Sequence, residues 1–194
     1  MSPPNQVTMI RLLLSPVFIL FFFLGELAPS LGFAGRIAAL AVAVLFEVTD
    51  LLDGYLARKM GRVTELGKYL DPLADSLSRF SVFLCVLAAG FAGIWMLAVL
   101  FYRDSIVSAV RIAAATRNQS VAARSSGKLK AIVQGAAILL VLSLDLARLA
   151  GSGPASLAFD AAAFWSLTAV TAVTAYSAVD YVAGNWAVIR SLKA

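Results

Sequence analysis

The residues with the clearest chemical potential are four aspartates near the middle of the chain, Asp50, Asp53, Asp71 and Asp75. The first two are three residues apart and the last two are four apart, so in helices each pair lies on one face. The loop between the two pairs is short, so antiparallel helices would bring all four carboxylates together. Clustered negative charges repel one another unless a cation neutralises them. Hard divalent cations take oxygen ligands, and magnesium is the usual partner of phosphates. The spacing therefore predicts a Mg²⁺ site, with ligands enough for two ions, for chemistry on a phosphate-containing substrate.

Small residues and one arginine accompany these acids. Gly54 directly follows an aspartate, Ala57 comes one turn later, and Gly67 precedes the second pair by one turn. Such positions allow a nucleotide or phosphate to approach the backbone closely. Arg58 adds a guanidinium fork that suits phosphate oxygens. The structural alternative is helix packing for the glycines and ion pairs at the membrane interface for the charged residues.

The composition indicates the elements that must position these residues. Of 194 residues, 61% are hydrophobic and 14% charged, and the mean hydropathy is +0.88. Apolar runs recur along the whole length, so the chain is expected to form one integral membrane domain, residues 1–194. The net charge is +5, and the basic residues cluster in short loops. This pattern indicates a role in membrane orientation and in binding anionic lipids or phosphates, not nucleic acid. Histidine is absent, so carboxylates must bind any metal and move any proton.

The apolar runs predict an all-α membrane protein with six transmembrane helices. These cover about 8–25, 31–58, 65–90, 92–116, 128–150 and 157–189. Basic residues concentrate in the loops after the second and fourth spans and in the tail, so both termini are expected to be cytoplasmic. The charges within the spans cost about 2.5–3.5 kcal/mol each unless they are paired, hydrated or metal-bound. They should therefore face a shared polar cavity that opens to the cytoplasm.

The central segment resembles the signature of the CDP-alcohol phosphotransferase family. That signature is Asp-x2-Asp-Gly-x2-Ala-Arg-x8-Gly-x3-Asp-x3-Asp, and residues 50–75 match it at every fixed position without a gap. The resemblance implies six transmembrane helices, usually in a homodimer, with an active site open to the cytoplasm of a bacterial inner membrane. It also implies the reaction: an alcohol attacks the β-phosphorus of a CDP-linked donor, and CMP leaves.

The resemblance assigns roles to the matching residues. Asp50, Asp53 and Asp71 would be ligands of Mg²⁺, with Mn²⁺ as the alternative, and Asp75 would be the general base and a further metal contact. Asn5 and Thr8 would help hold the cytidine or close the site, with helix N-capping as the other reading. The residues expected to bind CDP are Asn5, Thr8, Asp50, Gly54, Ala57, Arg58, Gly67 and Asp71.

Three further segments resemble the branch of this family that joins CDP-diacylglycerol to sn-glycerol 3-phosphate. The likeness covers most of the chain from Pro4 to about Gln134, and it is weaker beyond. One departure is Ala131, which follows Lys130 where threonine is expected. The matching segments are Pro4-Asn5-x2-Thr8-x2-Arg11-x4-Pro16, Arg103-Asp104-x3-Ser108-x2-Arg111 and Ala123-Arg124-x2-Gly127-Lys128-x-Lys130-x3-Gln134.

An acceptor that carries its own phosphate needs cations that the four acids cannot supply. Five basic residues of the fourth span and the following segment could provide them. The alternatives are pairing with Asp104 or another intramembrane acid, and the general excess of basic residues in cytoplasmic loops. Asp145 and Asp180 are expected to be structural partners of basic residues. The candidate acceptor-phosphate ligands are Arg103, Arg111, Arg124, Lys128 and Lys130.

Two other functions stay open at this stage. A sibling transferase could use inositol phosphate, another polyol phosphate or serine as the acceptor. A small ion-coupled transporter could also carry intramembrane carboxylates, although transporters of this kind place them near the midplane of repeated halves. The sequence shows no internal repeat, and its acids crowd at one membrane face.

Overall fold

The computed structural model describes residues 3–60, 65–117, 121, 124–151 and 155–191. Within these ranges, the side chains of residues 3–7, 51, 53–60, 65–72, 115, 155 and 156 are outside the description. The described chain is helical with short connections, and it contains no β-strand. The expected all-α class is therefore confirmed.

Six long helices form the body of the protein. A short helix α2 (Leu24–Leu27) and a 3₁₀ turn (Pro29–Leu31) join the first two of them, and α8 (Trp186–Ser191) follows the last. Each long helix coincides with one of the six predicted apolar segments. The long helices are α1 (Pro3–Phe22), α3 (Gly32–Met60), α4 (Glu65–Ala88), α5 (Ile94–Thr116), α6 (Ser125–Ala150) and α7 (Ala155–Gly184).

The helix bounds differ from the sequence expectation at both ends of the chain. Helix α1 begins at Pro3, five residues before the predicted start, because proline is compatible with the first turn of a helix. Helix α7 ends at Gly184, before the expected end, and α8 follows. The Asn185 side chain donates to the carbonyl oxygen of Tyr181 at 3.0 Å, which satisfies one of the carbonyls at the end of α7.

Three of the described helical segments are long and apolar enough to cross a membrane. They are Pro29–Asp50, Ser125–Ala150 and Leu157–Gly184. The apolar part of α1, Thr8–Phe22, is shorter. Helices α4 and α5 are long enough to cross a membrane, but both carry several charged residues along the segments that form the site. The protein therefore has the helices of a membrane protein, and the count of six spans stays a prediction.

The six long helices pack as a closed ring. Helix α1 lies between α3 and α4, α6 lies between α3 and α7, and α5 closes the ring between α4 and α7. The interior is filled by apolar side chains from all around the ring, including Phe18, Phe46, Met96, Val141 and Leu167. In this arrangement all six long helices supply side chains to one polar region of two adjoining pockets, described below.

A tight turn reverses the chain between α4 and α5 at the far side from that region. Gly90 has a φ of +83°, in the left-handed region that favours glycine. The Phe91 amide donates to the carbonyl oxygen of Val86 at 3.1 Å, and the Gly90 amide donates to that of Leu87 at 3.0 Å. This pattern satisfies the last carbonyls of α4 and fixes where α5 starts.

Candidate active site

Carboxylates of α3 and α4 meet in a small pocket against α1. Arg79 of α4 donates from Nε to Oδ1 of Asp75 at 2.9 Å, and its Nη2 lies 3.8 Å from Oδ2 of Asp50. Arg11 of α1 donates from Nη1 to Oδ1 of Asp50 at 3.3 Å. Glu47, one turn before Asp50, lines the same pocket. We call the polar part of this pocket, formed by Arg11, Glu47, Asp50, Asp75 and Arg79, the carboxylate pocket.

The two kinds of charge in the carboxylate pocket are not equally accessible. The side chains of Asp50 and Asp75 are 42% and 40% exposed, whereas those of Arg11 and Arg79 are 3% and 8% exposed. The arginines thus form the buried back of the pocket, and the carboxylates form its open front. Hard oxygen donors that are reachable from outside and held by hydrogen bonds from behind suit a divalent cation. Asp50 and Asp75 therefore fit the predicted metal site.

Several predicted site residues lie outside the described side chains. Within the described part of the chain, no three potential metal-binding side chains form a group, and two of the four predicted ligands are beyond that part. Thr8 is described: it is 1% exposed and lies inside α1, so it does not cap that helix. The predicted site residues without a described side chain are Asn5, Asp53, Gly54, Ala57, Arg58, Gly67 and Asp71.

The second polar pocket, of about 260 Å³, is strongly cationic. All five predicted acceptor-phosphate residues line it, although they come from α5, from α6 and from the connection between these helices. Arg79, Ser177 and Tyr181 line it too, and Asp75 is the one acid among the lining residues that the structure describes. We call it the basic pocket. The predicted cations that line it are Arg103, Arg111, Arg124, Lys128 and Lys130.

Asp104 organises the inner wall of the basic pocket. It accepts hydrogen bonds from Nζ of Lys130 at 2.8 and 3.0 Å, and from Nη1 of Arg103 at 2.8 Å. Nη2 of Arg103 also donates to Oγ of Ser177 on α7 at 3.0 Å. Arg103 therefore pairs with Asp104, as one of the predicted alternatives had it. Arg103 still lines the basic pocket. One carboxylate shared by two cations leaves a positive excess at this wall.

The outer part of the basic pocket contains further cations. Lys128 and Arg111 are exposed, and in the described part of the chain neither forms an ion pair. Arg124 pairs with Asp180 of α7. The hydrogen bond and the charge of that carboxylate raise the pKa of the Arg124 guanidinium above its ordinary value, which keeps it cationic. The pairing of Asp180 was predicted and is confirmed.

The two pockets share a wall. Asp75 and Arg79 line both the carboxylate pocket and the basic pocket. Asp75 therefore lies between a pocket whose carboxylates suit a divalent cation and a pocket whose basic residues suit an anion. A carboxylate at such a junction can take a proton from a group that enters from the cationic side.

Sequence reasoning assigned no role to several residues that build this site. Arg79 could have been found from its spacing, because Asp75 and Arg79 are four residues apart on one helix. Glu47 precedes Asp50 by three residues, but its depth was not predictable: its carboxylate lies against α6, where a Cβ on Gly135 would come within 2.4 Å of Oε2. Tyr181 is 3% exposed and lines the basic pocket. Only the packing of α7 against α5 and α6 brings it there.

Comparison with known proteins agrees with this geometry. The family model for CDP-alcohol phosphatidyltransferase matches residues 1–179. The chain is 33% identical over 195 aligned positions to a CDP-diacylglycerol–glycerol-3-phosphate 3-phosphatidyltransferase of Bacillus subtilis, covering 97% of each chain. It is 35% identical over 180 positions to a probable phosphatidylglycerophosphate synthase of Mycobacterium tuberculosis, covering 92% of this chain and 79% of that one.

A further relative matches a shorter stretch more closely. The chain is 39% identical over 114 positions to a CDP-diacylglycerol–glycerol-3-phosphate 3-phosphatidyltransferase of Pseudomonas fluorescens, covering 57% of this chain and 55% of that one. The family match spans most of the chain, and two of the relatives align over nearly all of it. The chain therefore belongs to the CDP-alcohol phosphatidyltransferase family, whose members are transferases.

Proposed function

We propose that the protein transfers the phosphatidyl group of CDP-diacylglycerol to sn-glycerol 3-phosphate, giving phosphatidylglycerophosphate and CMP. The observation that carries the proposal is the position of Asp75 at the wall between the two pockets. A donor diphosphate suits the side with metal-binding carboxylates, and an acceptor with its own phosphate suits the cationic side. The relatives whose names contain this reaction support the choice of acceptor.

The chemical step is a displacement at the β-phosphorus of the donor. The acceptor hydroxyl oxygen forms a bond to this phosphorus, and the bond from the phosphorus to the oxygen of the CMP group breaks. CMP leaves with that electron pair, and the hydroxyl proton passes to a carboxylate oxygen of Asp75. Because the proton is lost as the O–P bond forms, Asp75 need not be strongly basic. The reaction conserves charge and needs no further reactant.

The donor side depends on the aspartate cluster. Asp50, Asp53, Asp71 and Asp75 would hold Mg²⁺, with Mn²⁺ as the alternative and with two ions as the fuller case. When bound, the metal supplies positive charge next to the diphosphate oxygens. The buried guanidinium of Arg79 would hold Asp75 and Asp50 in their orientations. CDP would lie along the segment of the family signature, against Asn5, Thr8, Gly54, Ala57, Arg58 and Gly67.

The acceptor side depends on the excess of positive charge in the basic pocket. Lys130 and Arg103 share one carboxylate, and Arg111 and Lys128 have no ion-pair partner in the described part of the chain. A phosphate with two negative charges would compensate most of this excess and place its hydroxyl-bearing carbons next to Asp75. Serine, a zwitterion with no phosphate, brings no net negative charge and would leave this positive excess uncompensated.

We also propose that all six long helices span the inner membrane, with both termini and both pockets at the cytoplasmic face. The concentration of basic residues around the basic pocket supports this orientation, because cytoplasmic segments carry an excess of lysine and arginine. At the other end of the helices, arginines are matched by acids: Arg36 with Asp145 and Arg148 with Asp160. A homodimer, which the family resemblance implies, completes this proposal.

The function can be tested by release of CMP from the purified protein in detergent. CDP-diacylglycerol is supplied with glycerol 3-phosphate, inositol phosphate or serine in separate reactions, each with magnesium and with excess chelator. We expect rapid CMP release with glycerol 3-phosphate and magnesium, little with the other two acceptors, and none with chelator. Mass spectrometry of the lipid product checks that phosphatidylglycerophosphate has formed.

Three results would contradict the proposal. CMP release with inositol phosphate but not with glycerol 3-phosphate would assign the protein to a sibling transferase. Full activity in excess chelator would remove the metal from the mechanism. A transporter would release no CMP with any acceptor.

A further inference from the structure

The carboxylate of Asp180 on α7 accepts hydrogen bonds from the start of α6 and from the connection before it. Asp180 accepts a hydrogen bond from Nε of Arg124 at 3.1 Å and a second from Nη2 of the same guanidinium. It accepts a third from Oγ of Ser126. Arg124 and Ser126 both line the basic pocket, whereas Asp180 itself lies behind them. One residue of α7 therefore fixes two lining residues of another element.

A glycine one turn beyond Asp180 makes this contact possible. A Cβ on Gly184 would lie 2.7 Å from Cζ and 2.7 Å from Nη1 of Arg124, closer than real Cβ contacts come. The guanidinium thus lies directly on the bare backbone of α7. Gly184 does not have a positive φ and is exposed, so its backbone conformation and its burial do not require glycine. The close approach of Arg124 is the feature that does. We call Arg124, Ser126, Asp180 and Gly184 the α7 clamp.

The clamp leaves part of the guanidinium available. Nε and Nη2 of Arg124 are used by Asp180, and no described residue accepts a hydrogen bond from Nη1. A bidentate pair fixes the plane of a guanidinium, so the remaining donors have a set direction. The same helix face holds a second arginine of the pocket, because Ser177, three residues before Asp180, accepts a hydrogen bond from Arg103. Helix α7 therefore orients one arginine of α5, Arg103, and one of the connection before α6, Arg124.

We propose that Asp180 is a positioning residue for the acceptor phosphate, acting through Arg124 and through the start of α6. Asp180 does not touch the substrate. It holds Arg124, and with Ser126 it holds the turn that carries Lys128 and Lys130 into the basic pocket. This inference rests on the proposed function for the identity of the phosphate-bearing acceptor. It predicts that loss of the clamp weakens binding of the acceptor and leaves binding of the donor unchanged.

The central experiment compares Asp180→Asn with Asp160→Asn. Both replace an aspartate of α7 that pairs with an arginine, but Asp160 pairs with Arg148 at the other end of the helix. In Asp180→Asn we expect the KM for glycerol 3-phosphate to rise about tenfold or more, because charge-assisted hydrogen bonds to Arg124 are lost. The KM for CDP-diacylglycerol should stay within about twofold of wild type. Asp160→Asn should leave both values unchanged.

A charge swap separates positioning from a merely structural ion pair. The double variant Asp180→Arg with Arg124→Asp keeps an ion pair between the two elements but places the cation on α7. We expect its thermal stability in detergent to recover relative to Asp180→Arg alone, while the acceptor KM stays high. Recovery of the acceptor KM together with stability would overturn the positioning role. Gly184→Ala, which displaces Arg124 and keeps Asp180, should also raise the acceptor KM, and an unchanged value would count against the clamp.

Binding of inorganic phosphate distinguishes failure of this inference from failure of the proposed function. Isothermal titration in detergent measures phosphate affinity for the wild type and for Asp180→Asn without any turnover. If the wild type releases no CMP with glycerol 3-phosphate, the proposed acceptor is wrong, and the clamp is then judged on phosphate affinity. Weaker phosphate binding by Asp180→Asn supports the inference, and equal binding by the two proteins overturns it.

Discussion

The two ends of the helix ring treat their charged residues differently. Away from the pockets, Arg36 lies 2.9 Å from Asp145 and 3.4 Å above the ring of Phe22, and Arg148 lies 3.0 Å from Asp160. Each arginine there has one acid. At the end with the pockets, half-exposed carboxylates collect on one side and cations collect on the other. Asp75 and Arg79 line the boundary between them.

The paired charges at the first end hold helices together. The uncompensated charges at the pocket end are available to bind a ligand. A charged group within a membrane-spanning helix must be compensated, and at the balanced end the protein itself provides the compensation. At the pocket end the compensation is incomplete on both sides of Asp75. A divalent cation would complete one side, and an anion would complete the other. The following substitutions test this contrast, in order of their expected effect on turnover.

Replacement of Asp75 by asparagine should have the largest effect. Asparagine keeps the shape of the side chain but cannot take the proton of the acceptor hydroxyl, so kcat should fall by about 100-fold or more. Binding of CDP-diacylglycerol, measured by titration with magnesium present, should be largely retained. The measurement is CMP release under saturating substrates. Normal turnover in this variant would remove Asp75 from the role of general base.

Replacement of Arg79 by lysine should have an intermediate effect. Lysine keeps the charge but has no planar fork to reach Asp75 and Asp50 together. Partners that orient metal ligands typically contribute about 10- to 100-fold to metal affinity or activity, so kcat should fall by that order. The concentration of magnesium that gives half-maximal activity should rise. Unchanged magnesium dependence would show that Arg79 serves packing alone.

Replacement of Asp145 by asparagine should have the smallest effect on turnover and a clear effect on stability. The change removes the carboxylate that pairs with Arg36, at a position that is only 3% exposed. Breaking a buried ion pair typically costs about 3–5 kcal/mol of stability. We expect a lower unfolding temperature in detergent and unchanged KM values for donor and acceptor. A raised acceptor KM without loss of stability would contradict the view that this end is structural.

The sequence predicts the donor site from local features, and the structure describes the side chains of two of its four acids, Asp50 and Asp75. Asp50 and Asp53 are three residues apart on α3, and Asp75 lies on the next long helix. Helical periodicity fixes the face on which such residues lie, and a short connection makes the two helices antiparallel neighbours. The six helical segments were predictable for a related reason, since apolar runs must satisfy their backbone hydrogen bonds within the helix.

The acceptor side could be predicted only as a set of candidates. Arg103, Arg124 and Lys130 were identified as basic residues of one region, but a cytoplasmic loop would contain such residues anyway. Their convergence depends on Asp104, which takes two of them, and on α7, which holds Arg124 more than fifty residues away along the chain. No periodicity in the sequence specifies contacts over that separation.

By itself, the sequence indicated the chemistry: apolar helices typical of a membrane protein, four aspartates at spacings that favour adjacent helix faces, and a supply of basic residues in the fourth and fifth predicted spans and the segment between them. The tertiary structure decided how these charges are divided. Closure of the ring by α5 and α7 places Asp75 between two pockets, balances the arginines at one end and leaves them in excess at the other. Helix periodicity acts within a few residues, whereas the compensation of a charge depends on whatever the fold brings next to it.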